Sequence, residues 1–350
     1  MRDNCDLKQI SRPLLDWYDT NARKMAWRIS PKARAEGIRP NPYRVWLSEV
    51  MLQQTTVAAV KEYFDRFTRR WPTVEDLACA SDAEVIAEWA GLGYYARARN
   101  LLACARKVTL EYGGKFPTNR VNLLALPGIG PYTAAAISAI AFDLPEPVLD
   151  GNVERVMTRL YAVRVPLPTS KPQLLTLVAA ETPLTRPGDY AQAVMDLGAT
   201  ICRPRSPSCG VCPLRDLCNG RAQGIATSLP FKTAKVPKPT RNGTMWLAQR
   251  NDGAWLLELR SPKGLLGGTM GWPGDAWDNV SGPPPLSANW RDAGTLRHTF
   301  THFHLNLQVL TATVGTSVAP VRGTFIPPND FNSQDLPSLM RKAYGQATLK

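Results

Sequence analysis

Leu123-Leu124-Ala125-Leu126-Pro127-Gly128-Ile129-Gly130-Pro131-Tyr132-Thr133-Ala134 is the stretch that decides how the rest of the chain is organised. Two glycines let the backbone turn sharply and leave its N–H groups unshielded. An apolar lead-in precedes the turn, and a near-continuous apolar run from Thr133 to Phe142 follows it. Pro131 sits where a first helical turn tolerates a missing N–H. The pattern predicts a tight turn between two helices. At the start of the second helix, orphan donors and the positive dipole end favour an anion. Gly128 and Gly130 are therefore candidate phosphate contacts. Gly-x-Gly alone also suits an ordinary helix-turn-helix connection.

Working outward, Val148-Leu149-Asp150-Gly151-Asn152-Val153 predicts a helix start with Asp150 as its cap. Backbone N–H groups hold a capping carboxylate in place and favour its ionised form, so capping and catalysis are compatible roles. Upstream, Asn41-Pro42 opens a helix through Trp46-Leu47-Ser48-Glu49-Val50-Met51-Leu52-Gln53-Gln54-Thr55. The helical neighbours of Glu49 are Val45, Trp46, Leu52 and Gln53, a mostly apolar face. Burial there would raise the Glu49 pKa. At about 4.3, roughly one carboxyl in 500 is protonated at pH 7; at about 6, roughly one in ten is. Such a group can act as a general acid. The alternative is a helix-face Glu paired with a neighbour such as Arg44. Pro72-Thr73 and Ser81-Asp82 start further helices.

Four of the seven cysteines follow, as Cys202-x6-Cys209-x2-Cys212-x5-Cys218; Cys5, Cys79 and Cys104 are scattered. Four thiolates this close can form one closed sulfur site, structural rather than catalytic. The start, Met1-Arg2-Asp3-Asn4-Cys5-Asp6, lacks a hydrophobic signal core, which favours metal ligation over disulfides. Spacing leaves zinc and a [4Fe–4S] cluster both open. Arg203, Arg205, Arg215 and Arg221 decorate the loop, which could also touch phosphates.

The 350 residues suffice for two or three domains, and 44% hydrophobic content can bury real cores. No apolar run is long enough for a membrane span. A soluble, cytoplasmic protein is expected. Net charge is +13; nine Lys and Arg against seven Asp and Glu from Gly243 onward leave +11 on the first 242 residues. A basic domain fits a polyanion, because phosphate contacts release counterions. A solvated basic surface is the alternative.

From Leu7 to about Met195 the pattern is helical. Leu229 to Arg241, with three Pro and three Lys, predicts an extended basic linker. Strand signals follow at Met245–Gln249 and Trp255–Leu259, flanking Asn251-Asp252-Gly253, and again from Thr295 to Val309. The expected domains are 1–228, a linker over 229–242, and a smaller α+β domain over 243–350. All three histidines, His298, His302 and His304, lie in the last. On a strand, His302 and His304 would face one side, but no acidic cluster accompanies them and a metal is not expected there. Scattered Asp275, Asp278 and Asp292 do not make the Glu-rich box of a diphosphate hydrolase.

Taken together, WLSEVMLQQT, GLGYYARARN, LPGIGPYTAAAI, VLDGNVERV and the cysteine loop resemble the helix-hairpin-helix DNA glycosylases, most closely the MutY family of adenine DNA glycosylases. The resemblance runs from about Leu14 to Cys218 and more weakly to about Leu310. It implies a mainly α fold: two all-α lobes with the DNA-binding cleft between them, a [4Fe–4S] cluster, and a C-terminal domain resembling Nudix hydrolases. By resemblance Cys202, Cys209, Cys212 and Cys218 hold the cluster. Glu49 matches the acid that protonates adenine N7, and Asp150 the carboxylate that stabilises or adds to the sugar cation. Tyr132 and Asn152 match supporting positions, Gln192 a contact to the extruded adenine, and Trp27 and Arg28 an early pocket segment. An insertion, about Ser30 to Pro40, follows that segment. Tyr94 and Gln54 match residues wedged into the duplex. Phe300-Thr301-His302 matches the Phe-Ser-His-type loop that senses 8-oxoguanine, with Thr for Ser. The implied partner is double-stranded DNA carrying adenine opposite 8-oxoguanine or guanine, bound by a monomer.

The physical logic agrees. Breaking an N-glycosidic bond needs one carboxyl that gives a proton and another that stays anionic. The base must first leave the stack. The nearest alternative is an endonuclease III-like enzyme, which carries a Lys after the hairpin as amine nucleophile. Here that position is Tyr132, and no Lys lies between Lys115 and Lys171. A glycosylase without strong lyase activity is expected. A lesion-binding protein that has lost catalysis is the other alternative, disfavoured by the presence of both carboxylates.

Overall fold

The computed structural model describes residues 9–234, 236–261 and 264–348. The chain divides into two compact units: residues 1–80 with 100–234, and residues 81–99 with 235–350. No helix among the described residues is long and apolar enough to cross a membrane.

The first unit is helical, and local capping explains where its helices begin. Asn41 accepts from the N–H groups of Tyr43 and Arg44 and opens Pro42–Leu52. Thr73 and Asp76 form a reciprocal capping box for Val74–Cys79. Arg120–Leu124, the glycine turn and Pro131–Phe142 make the expected helix-hairpin-helix. Gly128 has φ +75°, and a Cβ there would lie 2.8 Å from Asn100 Cβ. Gly130 has an ordinary φ of −93° and caps the second helix, so only the first glycine is required by backbone conformation. Pro131–Phe142 is apolar all round and is buried from Thr133 to Ile140, as such a helix must be. It packs in one core with Leu14, Tyr18, Val153, Met157, Tyr190 and Val194.

The insertion after Arg28 forms a short helix, Pro31–Ala35, capped by Ser30. Its Arg34 is buried, donates to the Ile140 carbonyl at 3.2 Å, and pairs with Asp143 and Asp189 at 2.9 and 3.1 Å. The inserted segment is thereby stapled to the C-terminal end of the hairpin helix, where a cation is favoured.

The second unit carries a six-stranded sheet: β1 (Thr240–Arg250), β2 (Trp255–Leu259), β3 (Met270–Gly271), β4 (Arg291–Thr299), β5 (His304–Val314) and β6 (Thr324–Ile326). The order is β3-β2-β1-β5-β4, with β6 pairing β2. β1 and β5 run parallel over their whole length; the other pairings are antiparallel. Leu305, Leu307 and Val309 alternate inward. They pack with Trp272, Trp277 and the helix Ser338–Thr348.

Three expectations change. Thr295–Val309 is not one extended stretch. It is a hairpin of β4 and β5, closed by Phe300 N–H donating to the Phe303 carbonyl at 2.9 Å. His302 therefore sits in the turn and does not share a strand face with His304. The linker is shorter at both ends. Leu229 is buried and Leu167 N–H donates to the Phe231 carbonyl, while β1 already begins at Thr240 because β5 pairs it from there. Finally, residues 81–99 fall with the second unit, where Arg99 donates to the Gly267 carbonyl.

Candidate active site and cluster loop

Glu49 lies on the Pro42–Leu52 helix, 7% exposed, and it does not pair with Arg44. The Arg44 guanidinium bonds the Ala26 carbonyl and lies over Phe64. Glu49 Oε2 instead accepts from the Tyr132 hydroxyl at 2.8 Å, one residue into the hairpin helix. Burial pushes the Glu49 carboxyl up to about 7; the Tyr132 hydrogen bond and Arg28 oppose this, and Asp150 adds to it. Burial and the two nearby carboxylates raise the Tyr132 hydroxyl well above its ordinary value, so it stays a donor.

Asp150 caps Gly151–Leu160, accepting from Val153 N–H at 2.7 Å and from Asn152 Nδ2 at 3.1 Å. Those donors stabilise the carboxylate as capping implies. Burial is nevertheless the largest influence and raises the carboxyl overall, which the sequence did not show. Glu49, Asp150, Tyr132, Asn152, Gln192, Trp27, Arg28, Gln54, Gly128 and Gly130 all line one cavity of about 840 Å³. Gln54, with φ +59°, stands exposed just past the end of the Glu49 helix rather than on its face.

Sequence reasoning missed two residues near this cavity. Asp196, fully buried, accepts from Arg23 Nε at 2.6 Å and Arg28 Nη1 at 2.8 Å, so Arg28 is fixed by an ion pair. The partners lie 168 residues apart or more, beyond any local signal. Lys171, noticed only as the end of a lysine-free stretch, lines the same cavity.

Arg155 links the cavity to the cysteine loop. Its guanidinium donates to the Cys202 and Gly198 carbonyls, each at 2.7 Å, and to Asn152 Oδ1 at 2.8 Å. Asn152 in turn braces Asp150. Gly198 permits this close approach, since a Cβ there would lie 2.7 Å from Asn152 Cβ. Replacing Arg155 with Met is expected to slow base release about tenfold to a hundredfold, the size of effect that small misplacement of a reacting group produces. Duplex affinity should change much less. Single-turnover release beside a binding titration checks this.

Cys202, Cys209, Cys212 and Cys218 line one small cavity of about 30 Å³. Burial, and then the charges of the other three, push the Cys212 thiol up to about 11. Four thiolates so placed need a cationic centre to be held deprotonated, so the donor set fits an iron–sulfur core. Arg159, 2% exposed, donates to the Arg203 and Pro204 carbonyls and to Cys202 Sγ at 3.3 Å.

In the second unit, the hairpin tip is held from below. Phe300 meets His298 at 4.6 Å and stacks on Phe303 at 5.0 Å, and Arg241 lies over Phe303 at 4.3 Å. Thr301 and His302 are exposed. Tyr94, 48% exposed with φ +51°, is not a core residue; its hydroxyl lies 2.5 Å from Thr301 Oγ1.

Comparison with known proteins places these features in families. Residues 47–176 match the HhH-GPD superfamily of base excision DNA repair proteins, and residues 244–346 match the NUDIX domain. Residues 202–218 match the iron-sulfur binding domain of endonuclease III, which decides between zinc and iron–sulfur: the loop holds a [4Fe–4S] cluster. The chain is 33% identical to human adenine DNA glycosylase, covering 98% of this chain and 74% of that protein. It is 46% identical to the rat enzyme of that name, over 65% of this chain and 45% of that one. It is 34% identical to adenine DNA glycosylase of Buchnera aphidicola subsp. Acyrthosiphon pisum, over 71% and 69%. A thermostable thymine-DNA glycosylase is similar in structure, with a TM-score of 0.53 at 30% identity over 61% of this chain and 95% of that one.

Proposed function

The chain belongs to the adenine DNA glycosylases, and from that premise we propose that it hydrolyses the N-glycosidic bond of adenine paired with 8-oxoguanine or guanine. The observation that carries the mechanism is the pair of carboxyls in one cavity, Glu49 held by the Tyr132 hydroxyl and Asp150 held by Val153 and Asn152. The adenine is extruded from the duplex into this cavity, where Trp27, Arg28 and Gln192 contact it. Glu49, with a carboxyl near neutrality, gives its proton to the leaving base. Asp150, fixed by its cap, faces the sugar as positive charge develops there. Water then completes the displacement. The cluster supplies structural stability to the basic loop when bound. Gly128 and Gly130 hold a phosphate, and Gln54 and Tyr94 wedge the duplex open.

Tyr132 stands where the lyase-competent relatives carry a lysine, which supports hydrolysis by water rather than by a protein amine. An adenine-release assay on an adenine·8-oxoguanine duplex tests the proposal. Release from that duplex, and none from adenine·thymine, is expected. No release would overturn it.

The hairpin tip, Phe300-Thr301-His302, reads the opposite base. Thr301 keeps the hydroxyl of the family's serine and adds a methyl. Replacing Thr301 and His302 together with Ala is expected to reduce the preference for 8-oxoguanine over guanine by about tenfold, the worth of about one hydrogen bond. Release from adenine·guanine should change much less. Parallel single-turnover rates on the two duplexes measure the ratio; equal losses on both would contradict the division of labour.

A further inference from the structure

Lys171 is the only lysine on the wall of the 840 Å³ cavity among the described residues. It is the first residue of the helix Lys171–Glu181. Its ammonium lies 2.8 Å from Glu154 Oε1; the lysine side chain is 55% exposed and that of Glu154 only 13%. Glu154 N–H donates to the Asp150 carbonyl at 2.8 Å, so the two acidic residues are separated by one helical turn. Side chains four positions apart share a helix face. The amine is thus carried to the wall that bears Asp150, at a remove of about 5 Å of helical rise.

We propose that Lys171 forms an imine with C1′ of the abasic sugar left after base removal. This rests on the reading that base removal takes place in this cavity. The step balances without an oxidant or reductant. The Glu154 carboxylate takes one proton from the ammonium, freeing the nitrogen lone pair. The ring-opened sugar presents an aldehyde at C1′. The amine adds to that carbon, the carbonyl oxygen gains a proton, and the resulting carbinolamine loses its hydroxyl as water. A C1′=N double bond remains, and water reverses it.

The ion pair explains why this lysine does not turn the enzyme into a lyase-type glycosylase. An ammonium held by a carboxylate is no nucleophile until its proton moves. It cannot compete with water for a short-lived sugar cation. An aldehyde persists, so the slower amine reaches it. The adduct would retain the reactive abasic product in the site after the base has left.

The test uses the cluster-loaded full chain and a duplex with a preformed abasic site opposite 8-oxoguanine, with sodium borohydride present to reduce any imine to a stable amine. A covalent protein–DNA species on a denaturing gel is expected. Lys171→Arg keeps the cation beside Glu154 but not the primary amine, and should lower the trapped yield at least tenfold. Mass mapping of the trapped parent protein should place the DNA remnant on Lys171, whatever the variant's folding. No trapped species, trapping undiminished in Lys171→Arg, or a remnant on another amine overturns the proposal. Adenine release, assayed in parallel, separates the two readings. Release without trapping refutes the lysine's role alone. Trapping without release refutes the substrate assignment and leaves the lysine chemistry standing.

Discussion

Glu49→Gln is expected to bind an adenine·8-oxoguanine duplex as tightly as the parent protein and to release adenine about a hundred to ten thousand times more slowly, the usual worth of a general acid. The glutamine carbonyl still accepts from the Tyr132 hydroxyl, so the local hydrogen bond survives while the proton donor is lost. Single-turnover base release beside a binding titration checks both halves; unchanged release would remove the acid role. The parent's pH dependence follows from the same carboxyl. With Glu49 raised to about 7, mainly by burial, the protonated acid is depleted as pH rises through 7, and release should fall on that side. The variant should lose that limb. Stability should move oppositely. A carboxyl whose folded pKa exceeds its unfolded value costs nothing below about 4.5. It costs progressively more from there to 7, reaching about 3 kcal/mol above. The melting temperature of Glu49→Gln relative to the parent should therefore rise between pH 4.5 and pH 8. A buried acid in an apolar pocket is a destabilising feature that a purely structural residue would have no reason to keep.

Much of this was legible because helix starts are local events. Asn41, Thr73, Ser81 and Asp150 cap helices by accepting from N–H groups two or three residues on, and each stands in the sequence beside the helix it opens. The burial of Glu49 was legible from its apolar neighbours on one helix face, although its partner was not: Tyr132 lies 83 residues away. What stayed hidden was long-range. The Asp196 ion pairs join segments 168 or more residues apart, and Lys171 reaches the cavity only because two helices cross near Glu154. The donors to Asp150 could be read from its capping position, but the burial that outweighs them depends on packing across the core. In the second unit, period-two alternation runs on either side of Phe300–Phe303 and marks no turn, so hairpin and single strand look alike. Residues 81–99 read as one more helical stretch, and only Arg99 and Tyr94 reveal their association with 267 and 301.

Asp150→Asn separates two roles that coexist at one position. If Asp150 were a helix cap and nothing more, the substitution would be nearly silent, because Asn caps helices about as well as Asp. The amide oxygen would still accept from Val153 N–H, as Oδ1 does at 2.7 Å, and the helix Gly151–Leu160 would start where it does now. Burial raises the Asp150 carboxyl overall, so a neutral amide removes a charge that the site holds at a cost, and the melting temperature should not fall. The proposed chemistry demands the opposite sensitivity. A neutral amide offers no negative charge to a developing sugar cation and no nucleophilic oxygen to add to it. Removing such a preorganised electrostatic partner costs about a hundredfold to a thousandfold in rate. The expected result is a folded, cluster-loaded, duplex-binding protein whose adenine release is slower by at least that factor. It should also fail to regain activity at any pH, since no titration restores the charge. Thermal melting, cluster absorbance and single-turnover release on the same sample decide the matter. Near-parental release would reduce Asp150 to its cap, and a collapse of melting temperature together with release would show that the cap, rather than the charge, is what the site requires.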